Sequence, residues 1–174
     1  MNAERNGKRL ATQRGREFEK WVEKLLDRAV SQGVLKRWDR QHPEMVPARV
    51  PGVRPMFVLG KSSGVDWIAL ASPSQPFPPY WAIEAKAVEG NSLGSSKIAP
   101  HQIAALNETV EAGQGGLLMV KFVTEDGWGE EYAVPWKYAP WRKNGNGLGL
   151  HQEDVIRWRV TGVDSLKEAM SWRI

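Results

Sequence analysis

Apolar positions recur along the chain with two different periods. Phe18, Trp21, Val22, Leu25, Leu26 and Ala29 follow the i, i+3, i+4, i+7 spacing of one buried helical face. Gly33 supplies the stop signal for that helix. Residues 42–57 (HPEMVPARVPGVRPMF) hold four prolines and no sustained period. Proline lacks the ladder donor, so this stretch predicts a projecting loop or edge hairpin rather than a central strand. Strands are predicted at Val65–Leu70 (VDWIAL) and Tyr80–Ala87 (YWAIEAKA), divided by the turn-rich ASPSQPFPP. Gly90–Lys97 reads as a polar loop, and Pro100 opens a second helix with Ile103, Leu106 and Val110 on one face and Gly113 at its end. The nearly all-apolar Gly116–Val123 predicts a central strand buried on both faces, and Glu131–Val134 a further strand. Beyond Tyr138 the pattern weakens to a strand at Val155–Val160 and a short helix at Ser165–Trp172.

The order helix, strands, helix, strand, strand predicts an α/β fold, a sheet with helices packed on it. At 174 residues the chain fits one domain, read here as residues 15–174 behind a basic arm at 1–14, with residues 139–174 as a C-terminal extension. Hydrophobic residues are 41% and charged residues 25%, which excludes disorder or coiled coil as a whole-chain reading. No apolar run approaches membrane-spanning length and the N-terminus has no signal-peptide stretch, so the expected setting is the cytoplasm with no membrane partner. The absence of cysteine removes disulfide scaffolds, thiolate zinc sites and cysteine nucleophiles. The net charge of +4 permits a polyanionic partner. Much of it sits between Met1 and Arg16, where Arg5, Lys8, Arg9, Arg14 and Arg16 face Glu4 alone. Such an arm suits a phosphate backbone; a solvated, frayed terminus is the alternative.

The chemistry-bearing segment is Ile83-Glu84-Ala85-Lys86. On a strand Glu84 and Lys86 point the same way, about 7 Å apart along the chain. A charged pair among Trp81, Ala82, Ile83, Ala85 and Ala87 fits a central strand only where its face opens into a site. Asp66 lies in the other apolar strand, preceded by Ser62-Ser63-Gly64. Two carboxylates on adjacent strands suit Mg²⁺, which takes one or two carboxylates with waters and phosphate oxygens. A lysine beside them can position an attacking water, as phosphodiester hydrolysis requires. Glu19, at the edge of the first helix's buried face, and Gln102, in the first turn of the second, could reach the same place. The competing reading is an exposed cross-strand pair, a turn carboxylate, an intrahelical Glu19–Glu23 neighbourhood and a capping amide.

These residues together resemble one superfamily. Gly15–Glu19, Lys61–Trp67 and Ile83–Lys86 look like the PD-(D/E)xK nucleases, whose fold is a restriction-endonuclease-like mixed central sheet flanked by helices. Ser92–Leu93 through Ile98–Leu106, followed by Gly115–Phe122 and then Ala133-Val134-Pro135, resembles the RecU-type Holliday junction resolvases. The resemblance covers roughly residues 7–138. It implies a homodimeric endonuclease that cuts four-way DNA junctions symmetrically with Mg²⁺ or Mn²⁺, in a bacterial or phage-infected cell. Carried over, Asp66 and Glu84 match the metal-binding carboxylates, Lys86 the catalytic lysine, Glu19 the acid on the first helix and Gln102 the auxiliary amide. The proline-rich stretch near 42–57 stands where the family carries a protruding stalk. Arg5, Lys8, Arg9, Arg14, Lys61, Ser62, Ser63, Lys97 and His101 are the residues expected to hold DNA, the cations among them through phosphates that position without reading bases.

Two other readings stay open: a restriction or repair nuclease of the same superfamily acting on duplex DNA, and a non-catalytic junction-binding protein. His42, His101 and His151 are too scattered for a metal triad, and Gly145–Gly149 reads as a turn.

Overall fold

The computed structural model describes residues 2–41, 45–48, 56–59, 64–124, 126–144 and 147–172. Helix α1 runs over Asn2–Ser31, starting well before Phe18, where the apolar spacing predicts it to begin. Ala3, Glu4, Arg5, Lys8, Arg9, Leu10, Ala11, Gln13, Arg14 and Arg16 are good helix formers and outnumber Gly7 and Gly15 in this N-terminal extension. It stops where Gly33 takes a φ of +71°, a conformation that costs glycine nothing. Strand β1 (Leu35–Arg40) follows, then β2 (Met45–Ala48), β3 (Met56–Leu59), β4 (Trp67–Ala71) and β5 (Tyr80–Glu89). Next come β6 (Ser92–Gly94), α2 (Pro100–Glu111), β7 (Gly115–Val123) and β8 (Gly129–Pro135). The chain ends with β9 (Arg142–Asn144), β10 (Gly147–His151) and α3 (Val163–Ser171).

The main sheet has five strands in the order β1-β4-β5-β7-β8. β5 and β7 are parallel and the other neighbours antiparallel. A parallel pair needs a crossover, and α2 is that crossover. α1 covers one face through Phe18, Val22, Leu25 and Leu26, packed with Trp67, Ala69, Trp81 and Ile83. Leu106 of α2 packs on the other face with Ala82 and Val65. This is the α/β fold expected from the sequence, a mixed central sheet flanked by helices. The proline-rich stretch pairs as an antiparallel hairpin of its own, β2 with β3, with Pro47 opposite Phe57. The rest of the 42–57 stretch lies outside the described residues.

Gly115 and Gly116 open β7 for steric reasons. A Cβ on Gly115 would lie 2.2–2.4 Å from three indole carbons of Trp81, and one on Gly116 would stand 3.0 Å from both Trp136 Cβ and Val110 Cγ2. The two glycines thus let large side chains close on both faces of the same strand.

Four local expectations are corrected. β1 (LKRWDR) was not anticipated, because an edge strand with the burial pattern of a mostly exposed ribbon carries no apolar alternation. Gly90–Lys97 is not a plain loop: it holds β6 and a 3₁₀ turn, with Leu93 fully buried. Val155–Val160 is not a strand. A 3₁₀ turn at Ile156–Trp158 replaces it, with Val155 and Trp158 buried at a spacing of three, and only Arg159 bridges to Tyr132. Gly147–Gly149, read as part of a turn, is strand β10, paired on both sides by β6 and β9. The segment beyond residue 139 contributes Leu150, Val155, Leu166 and Met170 to the principal core. Among the described residues no helix is long and apolar enough to cross a membrane.

Candidate active site

Strand alternation puts Glu84 and Lys86 on the α2 face of β5, the face that also carries Ala82. Asp66 enters just before β4, and its Oδ2 accepts a hydrogen bond from the backbone N–H of Ala85 at 2.9 Å. Gly64 holds this approach tight, since a Cβ there would lie 2.6 Å from Ala105 Cβ of α2. Ile103 and Leu106 anchor α2 on the sheet, which delivers Gln102 from its first turn over β5.

Glu84 is the centre of the arrangement. It is the one buried charged residue among the described side chains, with 0% exposure. Its Oε1 accepts Lys86 Nζ and Gln102 Nε2, the latter at 2.6 Å. Gln102 Oε1 in turn accepts the backbone N–H of Ala99 at 2.9 Å. The amide is therefore fixed at both ends, one to the helix start and one to the carboxylate. Glu84 Oε2 is buried and has no hydrogen-bond partner. Burial pushes the Glu84 carboxyl up to about 8, with the nearby Asp66 charge adding to the rise and Lys86 opposing it.

An orphaned carboxylate oxygen is expensive to bury unless something completes it. Glu84 Oε2 and the Asp66 carboxylate are hard oxygen donors on one face, the donor chemistry that suits a divalent cation such as Mg²⁺. Among the described residues no group of three or more His, Cys, Asp or Glu side chains is gathered for a metal. An ion here would draw its other ligands from water and phosphate oxygens, as Mg²⁺ commonly does.

Asp66, Glu84, Lys86 and Gln102 thus come together. Glu19 is placed differently: its carboxylate is ion-paired with Arg40, which also reaches Glu23 Oε1 at 2.7 Å. No hydrogen bond links Glu19 to Asp66, Glu84 or Lys86 among the described residues. Arg40 lies over the Trp67 ring at 5.8 Å, and the next residue, Gln41, donates its N–H to Asp66 O at 2.8 Å. Arg40 was not anticipated, because it sits on the strand that the apolar pattern does not signal. Nothing in the sequence sets it apart from Lys36 and Arg37 of the same strand.

The expected DNA-holding residues are spread along α1 and around the start of α2. Arg5, Lys8, Arg9 and Arg14 lie on α1. Arg9 is exposed, whereas Arg14 is ion-paired with Glu89 at 2.9 Å. Lys97 and His101 are exposed on either side of the α2 start, next to Gln102. Lys61, Ser62 and Ser63 lie outside the described residues.

Fold and site define a mixed α/β protein carrying a buried acid–lysine cluster braced by a helix-borne amide. No model of a known protein family matches the chain, and no curated protein matches it. Among solved structures the chain is similar to Hjc of Archaeoglobus fulgidus, a Holliday junction resolvase from an archaeal hyperthermophile. The TM-score is 0.41 and the identity 13%, over 79% of this chain and 91% of that one.

Proposed function

We propose that this chain is a metal-dependent endodeoxyribonuclease that resolves four-way DNA junctions by symmetric phosphodiester hydrolysis, acting as a homodimer in the cytoplasm. The observation that carries the nuclease reading is the buried, unpartnered Oε2 of Glu84 beside Asp66, with Lys86 and Gln102 on the same face. The junction as substrate rests on the resemblance of Ser92–Leu106 and Gly115–Phe122 to the RecU-type resolvases. A two-fold dimer suits the near-two-fold symmetry of that substrate.

In this reading Asp66 and Glu84 hold Mg²⁺, or Mn²⁺ in its place. The bound ion would supply Lewis-acid polarisation of the phosphate and an acidified water. The remaining work falls to the chain itself. Gln102 holds one Glu84 oxygen, which leaves Oε2 as the oxygen that would bind the ion. Lys86 orients the attacking water and offsets charge that builds on the phosphate. Glu19 is the outer acid of the site and joins it by releasing Arg40. The cations of α1 together with Lys61, Lys97 and His101 grip backbone phosphates, with Ser62 and Ser63 beside them.

The test is cleavage of a labelled four-way junction beside linear duplex and single strand of the same sequence, in Mg²⁺, in EDTA and with Asp66→Asn. Paired symmetric nicks on the junction alone, lost with EDTA and in the variant, are expected. Efficient cutting of linear duplex would reassign the protein to a restriction or repair nuclease. Tight junction binding with no cleavage in Mg²⁺ or Mn²⁺ would leave a binding protein.

A further inference from the structure

A groove runs beside the C-terminal half of α2, between that helix and the segment that follows β8, and shares no residue with the acid–lysine cluster. Asn107, Val110 and Glu111 form one side, and Trp136, Lys137 and Trp141 the other, around a cavity of about 320 Å³. That volume lies within the ~300–1,000 Å³ typical of small-ligand sites. The two indoles meet at 71° with centroids 5.8 Å apart, so they make two angled walls rather than a closed stack. Trp136 is locked in place. Its Nε1–H donates to Asn107 Oδ1 at 2.7 Å, and its base packs where Gly116 lacks a Cβ. Trp141 comes from the segment beyond residue 139, so the groove exists only because that segment folds back against α2.

We propose that this groove is a subsite for an unpaired nucleobase of the DNA strand being cut. The proposal rests on the nuclease reading above and gives that site a further contact with its substrate. Aromatic walls take any base through its π-face. The Asn107 amide and the Glu111 carboxylate stand at the groove for the polar edge of a base, and Lys137 for its phosphate. The distance also suits a base on the same strand. Asn107 and Glu111 lie five and nine residues after Gln102, about 8 and 14 Å along the helix axis. At ~3.4 Å of rise per nucleotide this is about two to four nucleotides from the acid–lysine site. At a branch point stacking is interrupted, which lowers the cost of turning such a base out.

The test is a binding cycle in EDTA, where no cleavage occurs. Wild type and Trp141→Ala are titrated against a labelled four-way junction, intact or with an abasic site placed one to five nucleotides from the cut bond. For the wild type, one abasic position is expected to weaken binding about tenfold or more, in keeping with base–aromatic stacking. Trp141→Ala should bind the intact junction more weakly by a similar factor and be indifferent to that abasic position. Trp141→Phe, which keeps a stacking ring, should retain the sensitivity and controls for loss of fold. Wild-type affinity in Trp141→Ala, or undiminished sensitivity to the abasic site, would overturn the proposal and leave the groove to a protein segment. Failure of wild type to bind any DNA would instead overturn the nuclease reading beneath it.

Discussion

Replacing Glu84 by Gln is expected to stabilise the metal-free protein while removing its activity. The Glu84 carboxyl titrates at about 8 in the folded chain, raised from 4.5, because burial and Asp66 outweigh Lys86. Between those two values the folded state holds a proton that the unfolded chain has released. Stability therefore falls as pH rises through this window, by ~1.4 kcal/mol per pH unit, and levels off above pH 8. From pH 5 to pH 8 the wild type should lose roughly 3–5 kcal/mol from this group alone. The amide that Glu84→Gln introduces does not titrate, and its carbonyl oxygen can still accept from Gln102. The stability gap between variant and wild type should therefore widen with pH across that range. The assay is urea unfolding in EDTA at pH 5, 6, 7 and 8, followed by the fluorescence of the nine tryptophans. Parallel pH profiles for the two proteins would refute the reasoning. Mg²⁺ should then narrow the gap by stabilising only the wild type, since a ligand that binds the folded state adds stability by mass action.

Gly115→Ala should destabilise the fold by about 1–3 kcal/mol through overpacking against the buried Trp81 ring, lowering Tm by roughly 2–12 °C in a calorimetric scan; an unchanged Tm would contradict the packing. Gln102→Ala removes both the tie to Ala99 and the tie to Glu84. It should cost about 1 kcal/mol of stability through the helix start and lower the DNA cleavage rate by roughly tenfold or more at limiting Mg²⁺. A rate loss that persists unchanged at saturating Mg²⁺ would place Gln102 on the phosphate rather than behind Glu84.

Much of the core was legible because its elements are strongly periodic. The stripe from Phe18 to Ala29, the apolar run into Val123 and the Pro100–Gly113 frame all report burial directly. β1 was not legible, since four of its six positions are exposed and charge hides its pairing with β4. The short helix at Ser165–Trp172 was legible and stands as α3, but the stretch before it was not, because Leu150, Val155 and Trp158 are buried from a five-residue strand and around 3₁₀ turns, too brief to build a period. At the site, Glu84 and Lys86 could be read from a charged pair set in an apolar strand. The double anchoring of Gln102 could not, because it depends on how α2 docks over β5. Nor could the hold of Arg40 on Glu19, which is fixed by the pairing of β1 with β4.

The measurement that tests the central claim most directly is the rate of DNA strand cleavage against Mg²⁺ concentration, for the wild type and Glu84→Gln, on a labelled four-way junction. The wild type should cut in proportion to site occupancy and fall silent in EDTA. Glu84→Gln should lose at least about a hundredfold in rate although it is the more stable protein, so that unfolding does not account for the loss. Cleavage by Glu84→Gln at the wild-type rate, or cleavage by the wild type in EDTA, would contradict the assignment of Asp66, Glu84, Lys86 and Gln102 as a metal-dependent hydrolytic site.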